Sequence, residues 1–265
     1  MNKRIFHYTS IETLLLILKN KTIRFTSLGK VDDMNEGMTS DYGTLGRFCY
    51  VSCWTETPSE SIPQWNMYSS DMEGVRISIP YPTNIEEVFE CAPYQFTDGT
   101  SKNIPLAMFP ERLDPMGVNP PYLPEYFEVT YTSDKALLYP KVYTYKKIKN
   151  GYEENISNLS LLGKFKEKKW KFQEETRFKI FLTPWSLNEL KSVQSSGEQI
   201  ELFGRLKETR PFYDYLDLDL TEECLSKIQV TCGPKVSDTQ KEIIQLILDK
   251  YSPGKRLKES QLQIR

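Results

Sequence analysis

From Glu174 to Leu182 the chain alternates without a break: Thr176, Phe178, Ile180 and Leu182 fall to one side, Glu175, Arg177 and Lys179 to the other. A period of two over this many residues is the pattern of a β-strand with one apolar face. No other stretch restricts the fold as tightly. The apolar face needs a core. The charged face then points either to water, as a salt-bridged surface of small energetic weight, or into a cleft. Gln173 lies two residues ahead, so an amide, a carboxylate and a guanidinium would follow one another at intervals of about 7 Å. Both placements are open from the sequence.

Shorter elements surround that strand. Ile5 to Tyr8 reads as a strand, and Thr9 with Glu12 forms a Thr-x-x-Glu capping box before an apolar helical run through Ile11, Leu14, Leu15 and Leu18. Thr22 to Ser27 alternates again, with Ile23 and Phe25 opposite Arg24 and Thr26. Phe48 to Trp54 and Gly74 to Ile79 are two further strands, and Val31 to Gly37 is an acidic loop or helix start. Ser61 to Tyr68 is a short helix with Pro63 in its first turn, where a missing N–H costs nothing. Closely spaced prolines from Pro80 to Pro124, with an Asp98-Gly99 turn, predict long loops and short strands through residues 85–150, including a strand over Lys141 to Lys147. Asn155 to Trp170 is expected to be helical, and Lys164, Lys166, Lys168, Lys169 and Lys171 to form a solvated face. Asp217 to Leu220 and Ile228 to Thr231 read as short strands or connectors. A last helix is capped by Ser237 and Gln240 and buries Ile243, Ile244, Ile247, Leu248 and Tyr251. Without an internal repeat or a linker, the expectation is one α+β domain over residues 1–265, with 85–150 an insertion-like middle.

Composition removes several functional classes. Hydrophobic residues at 39% and charged residues at 26% describe a globular chain, and 265 residues bury enough surface to fold without a metal or disulfide. A net charge of −2 is far from that of a constitutive nucleic-acid coat protein. No apolar run approaches the ~20 residues of a membrane span, and Met1 to Phe6 followed at once by His7 does not read as a signal peptide. Cys49, Cys53, Cys91, Cys224 and Cys232 form an odd set with no Cys-x-x-Cys pair. A reduced, cytoplasmic protein is expected. The single histidine, His7, argues against a zinc site. A Ser-His-Asp triad would have to use it without any Gly-x-Ser-x-Gly, and neither a Walker loop nor Gly-x-Gly-x-x-Gly is present.

The remaining candidates each have a plain structural alternative. His7 is a packing residue or a catalyst; Tyr8 and Thr9 add a ring and a hydroxyl beside it. Trp65 and Tyr68, at i and i+3, share a helix face that suits a core or a flat ligand ring. The lysine cluster is a solvated face, or it steers a phosphate-bearing ligand or nucleic acid toward Glu175.

His7-Tyr8-Thr9-Ser10 before a Leu-rich helix, Ile23-Arg24-Phe25, Val51-Ser52-Cys53, and Trp65-x-x-Tyr68 ahead of Gly74-Val75 occur in a telling order. Gln173-x-Glu175-x-Arg177, the Gly233-Pro234 turn with its final helix, and Ser260-Gln261-Leu262 complete it. The whole series resembles the widespread bacterial domain-of-unknown-function family numbered twenty-nine seventy-one. The chain departs from that pattern at Gln173, where an acidic residue is usual, and at Asp32-Asp33-Met34, where an Asn-Asp-Pro-like loop is usual. A His on the first strand, aromatic or hydroxyl residues in the middle and Gln-x-Glu on a late strand are also similar to the ADP-ribosyltransferase superfamily. That resemblance implies a split, mixed or antiparallel β-sheet flanked by helices and gripping NAD. It implies His7 and Glu175 as catalytic residues, with His7 on a ribose hydroxyl and Glu175 stabilising the sugar cation as nicotinamide leaves. Tyr8, Thr9, Arg24, Ser52, Trp65, Tyr68, Gln173 and Arg177 would be the NAD-binding set. Within it Trp65 or Tyr68 stacks on nicotinamide, Gln173 orients the acceptor, and Arg177 holds the pyrophosphate or Glu175. A macromolecular acceptor, protein or nucleic acid, and a role as a toxin or antiphage effector follow by analogy. Two rivals stand beside it: a metal-dependent nuclease using Asp32, Asp33, Glu36 and Glu175, and a non-catalytic module that senses a nucleotide or partner.

Overall fold

A computed structural model describes residues 3–96, 99–113, 117–118, 122–142, 144–148, 151–155, 159–185 and 204–264. The first third of the chain builds the frame of the site. Strand β1 (Arg4–Thr9) leads into helix α1 (Ile11–Asn20), which returns to β2 (Thr22–Ser27). Helix α1 starts one residue later than the sequence predicts: Ser10, not Thr9, is the N-cap, its hydroxyl accepting from the Thr13 N–H, and Thr9 ends β1 instead. Leu14, Ile17 and Leu18 form its buried stripe. Then come β3 (Cys49–Thr55), helix α2 (Ile62–Tyr68) capped by Ser61, and β4 (Val75–Pro80).

A hairpin-like pair and short segments begin the middle: β5 (Cys91–Gln95) with β6 (Ser101–Pro105), then β7 (Gly117–Val118), β8 (Glu125–Glu128) and β9 (Thr130–Thr132). Asp98 of the expected turn lies outside the described residues; Gly99 beside it has φ +85°. Strand β10 (Thr144–Ile148) pairs with β11 (Gly151–Asn155). The helix expected from Asn155 to Trp170 is not formed among its described residues. Asn155 ends β11, Leu159–Leu161 is a 3-10 turn, β12 (Phe165–Glu167) is a strand, and Lys168–Gln173 is a 3-10 helix. Basic composition and helical propensity are overridden by tertiary pairing of Phe165–Glu167 with Thr130–Thr132.

Strand β13 (Glu175–Thr183) is the alternating segment, and all nine of its residues are buried. It pairs along one edge with β3, from Glu175 opposite Thr55 to Phe181 opposite Cys49, and along the other with β8 and β7. Strands β14 (Tyr215–Asp219) and β15 (Gln229–Cys232) complete a nine-stranded sheet. Every pairing within that sheet is antiparallel, so the mixed alternative does not hold for it; the parallel β9–β12 pair lies outside. The long helix Asp238–Tyr251 carries the full Ser237–Gln240 capping box and buries Ile244 and Leu248, while Ile243 is exposed rather than part of the stripe. Among the described residues no helix is long and apolar enough to cross a membrane.

The sheet forks. On the edge of β3 away from β13, Tyr50 and Val51 pair with Ser27 and Thr26 of β2, whereas Thr55 pairs with Phe6 of β1. One arm continues as β2–β14 and the other as β1–β4–β15. Between them Ser52, Cys53 and Trp54 have no strand partner on that edge among the described residues. The loop after β2 is fixed by a close crossing of two glycines: the Gly46 N–H donates to the Gly37 carbonyl at 2.7 Å, and Gly37 has φ +75°. A Cβ at Gly46 would lie 2.5 Å from the Gly37 Cα, so the crossing tolerates no side chain. Replacing Gly46 by Ala is expected to destabilise the fold by roughly 1–3 kcal/mol through overpacking, read from the urea midpoint. Gly204→Ala, at an exposed position with open space around it, should leave the midpoint unchanged or slightly raised.

Candidate functional site

The fork opens into a cavity of about 350 Å³. Phe6, His7 and Tyr8 line it from β1, Ile23, Arg24 and Thr26 from β2, and Val51 to Trp54 from β3 beneath. Thr13 and Ile17 of α1, Gln64 and Tyr68 of α2, and Asp32 close it from above and from the side. At one end stand Lys166, Gln173, Glu175 and Arg177. The wall is mostly apolar with a few polar groups, the usual make-up of a small-molecule site.

His7 bridges the gap in the sheet. Its Nδ1 lies 2.8 Å from the Cys53 carbonyl oxygen, which accepts but cannot donate, so a neutral ring carries its proton on Nδ1 and leaves Nε2 as an acceptor. Burial pushes the imidazole below its ordinary value, and the bond to Cys53 only partly offsets this. The ring packs on Trp54 at 5.1 Å between centroids, and the Trp54 indole N–H donates to Ser52 Oγ at 3.1 Å.

The charged face of β13 points inward and is fully paired. Arg177 donates from Nε to Glu175 Oε1 at 2.6 Å and from Nη2 to Oε2 at 3.0 Å; Nη1 reaches Glu36 and the Gly163 carbonyl. Lys166 Nζ bonds Glu175 Oε2 at 3.0 Å and Gln173 Oε1 at 2.7 Å, and approaches Glu36 Oε2 at 3.3 Å. Two carboxylates and two cations thus form a neutral buried cluster. Burial pushes the Glu175 carboxyl up, but Arg177 and Lys166, with donors from Arg177 and Cys53, bring it down from 4.5 to about 2. Burial likewise disfavours the charged Arg177, and Glu175 and Glu36 more than reverse this. Farther along, buried Lys179 pairs with Glu125 at 2.9 Å and donates to the Ser160 carbonyl at 2.7 Å. The choice between water and cleft is therefore resolved: Glu175 and Arg177 border the cleft, and Lys179 lies under the 159–161 turn.

Gln173 is not on the strand. It ends the 3-10 helix, and Glu174, in the left-handed region at φ 42°, reverses the chain into β13. The Gln173 side chain still converges on the cluster. Its Nε2 donates one N–H to the Tyr68 hydroxyl and its Oε1 accepts from Lys166, which fixes the amide at the end of the cavity. The Tyr68 hydroxyl lies between Gln173 and Asp32, where burial first and Asp32 next push its pKa up.

His7, Tyr8, Arg24, Ser52, Tyr68, Gln173, Glu175 and Arg177 share the cavity; Thr9 and Trp65 do not. Trp65 is fully buried, edge-on to Tyr8 at 4.8 Å, with its N–H on Glu60 at 2.9 Å. Thr9, at the end of β1, is on the same face of the strand as His7 but is buried beyond the cavity wall. Arg177 is wholly buried and committed to two carboxylates, so it cannot reach a pyrophosphate. Arg24 is better placed. Asp217 fixes its guanidinium at 2.8 and 2.9 Å and Tyr215 stacks on it at 3.6 Å, while half of the side chain stays exposed. Glu36 and Lys166 were not legible as partners of Glu175. A buried strand face with two cations and one anion needs more acid, which Glu36 and Glu125 supply, but nothing in the sequence singles these two out.

The four acidic residues of a nuclease do not gather. Asp33 Oδ1 accepts from the Asn35 N–H, Asp32 is exposed at the mouth, and Arg177 and Lys166 stand between Glu36 and Glu175. Among the described residues no group of three or more His, Cys, Asp or Glu could hold a metal ion.

The two perturbed groups predict separate acid windows. The folded state resists protonating His7, so its contribution is complete above the ordinary imidazole value of 6.5 and is lost as pH falls below it. Glu175 contributes fully above 4.5 and loses that contribution toward about 2. Urea midpoints followed against pH should therefore fall in two stages. His7→Asn should flatten the first, since the chain has one histidine, and Glu175→Gln should weaken the second. No family model matches the chain, and no curated protein and no solved structure matches it.

Proposed function

We propose that the cleft binds NAD and that the protein transfers its ADP-ribose to an acceptor, with Glu175 stabilising the reacting sugar. The observation that carries this reading is the fork itself: a sheet parted over Ser52–Trp54, with a neutral His7 on one lip and an ionised Glu175 at the end. Breaking the bond from ribose C1′ to the nicotinamide nitrogen leaves positive charge on the sugar. A fixed carboxylate in a water-poor site favours that state over the ground state.

Each group has a task in that geometry. His7 Nε2, the free acceptor, takes a ribose hydroxyl proton in a hydrogen bond. Arg24, held rigid by Asp217 and Tyr215, faces the pyrophosphate, the task Arg177 cannot perform. Trp54 and Tyr68 offer rings at the cavity wall. A carboxylate has about four acceptor directions, and Arg177, Lys166 and the Cys53 thiol account for those of Glu175. The thiol is the weakest of these donors, so a ribose 2′-hydroxyl displaces it and the two cations stay. The same saturation favours the sensing module as the second reading: a carboxylate fully paired at rest suits binding without turnover.

Incubation with NAD, with nicotinamide release followed by chromatography and cell lysate added as a source of acceptors, tests the proposal. The parent should release nicotinamide equally with and without EDTA. Glu175→Gln should lower the rate about 10²–10³-fold, as loss of a preorganised charge does, and Arg24→Ala should mainly raise KM. Protection of the parent against heat by NAD, without any nicotinamide release, would leave the sensing reading in its place; neither protection nor release would end both.

A further inference from the structure

Five lysines between Lys164 and Lys171 behave as two different sets. Lys164 pairs with Glu125, and Lys166 is buried in the charge cluster. Lys168, Lys169 and Lys171 are exposed on the 3-10 helix Lys168–Gln173, together with Phe172, which is 38% exposed. In a 3-10 helix residues i and i+3 eclipse one another, about 6 Å apart along the axis. Trp170 and Gln173 therefore share the inward side, where Gln173 bonds Tyr68 and Lys166, and Trp170 packs with Lys166 5.3 Å from its ring. Lys168 and Lys171 make a second side. Lys169 and Phe172 make the third, with Phe172 6.0 Å from Trp170. Lys169 pairs with Glu167, whereas among the described residues Lys168 and Lys171 make no ion pair. An exposed ring flanked by unpaired cations thus stands on the turn that leads, through Gln173 and Glu174, straight to Glu175.

We infer that this turn is a docking face for single-stranded nucleic acid, which it presents to the end of the cleft where Glu175 lies. Cations follow the phosphates and an exposed ring takes an unstacked base, the two elements of single-strand recognition. An acidic peptide would use the lysines but would leave Phe172 without a flat partner. The chain's net charge of −2 limits this to a local, releasable contact, as befits a substrate rather than a permanent ligand. The inference rests on the reading above where it names the acceptor: the C1′–nicotinamide bond breaks with its electron pair leaving on nicotinamide. A lone pair of a base nitrogen or a hydroxyl oxygen then forms the new bond to C1′, and that atom's proton passes to water.

Fluorescence anisotropy with labelled oligo-dT and oligo-U of about 12 nucleotides, within the span of single-strand sites, and an oligo-glutamate peptide tests the face without NAD. The parent is expected to bind an oligonucleotide and not the peptide, with log affinity falling against log salt at a slope of about −2 for three lysines. Phe172→Ala should weaken binding about five- to hundredfold, and Lys168→Glu with Lys171→Glu more than tenfold, all with unchanged thermal midpoints. The stronger of the DNA and RNA arms names the acceptor type. No oligonucleotide binding at low salt, equal binding of the glutamate peptide, or a triple variant that binds like the parent would overturn the inference. The NAD reading fails separately: a parent that binds oligonucleotide but never releases nicotinamide keeps the docking face and loses the transferase.

Discussion

Everything at the candidate site depends on one buried guanidinium. Arg177 has no exposed surface, and its donors are taken by Glu175, Glu36 and the Gly163 carbonyl. A charge taken so far from water is tolerated only when paired and hydrogen-bonded. Removing one partner of such a pair typically costs about 3–5 kcal/mol, so the cluster ties three distant segments to one another. Glu36 anchors the loop after β2, Lys166 anchors β12, and Glu175 begins β13. The Gly37–Gly46 crossing then has a clear purpose, since it brings Glu36 under the strand. Arg177 and Lys166, the two cations that hold these segments together, also keep Glu175 ionised.

The fork in the sheet is the second constraint. Parting β1 from β2 exposes a stretch of β3 edge whose backbone groups would otherwise bond to a neighbouring strand. His7 supplies one of the missing partners through its ring, donating to the Cys53 carbonyl. Its partial burial and its fixed tautomer follow from that structural task, and they leave one nitrogen available to a ligand. Structure and chemistry draw on opposite sides of the same ring.

The strands of the frame were legible because their patterns are local. The alternation of β13, the run of β2 and the capping box at Ser237 each contain their own evidence. What the alternation could not disclose is where its charged face goes, since that depends on Glu36, 141 residues before Arg177 in the chain. Lys166 was hidden in a lysine-rich stretch whose composition favours a solvated helix, until β9 pairs with it and drives it inward. Gln173 shows the reverse case. Its side chain reaches the cluster as spacing suggests, yet through a left-handed turn at Glu174 rather than along a strand.

That turn also explains why the two sides of the lysine-rich segment diverge. A three-residue period sorts Lys168–Gln173 into one side that must meet the buried cluster and two that cannot. Once Gln173 is held by Tyr68 and Lys166, the inward side is filled by Trp170, and Lys168, Lys171 and Phe172 are forced outward. An exposed ring beside unpaired lysines is therefore a consequence of closing the site, and it places whatever they bind next to the carboxylate. The exposed carboxylate of Asp32, on the Tyr68 side of the cleft, is opposite in charge to those lysines.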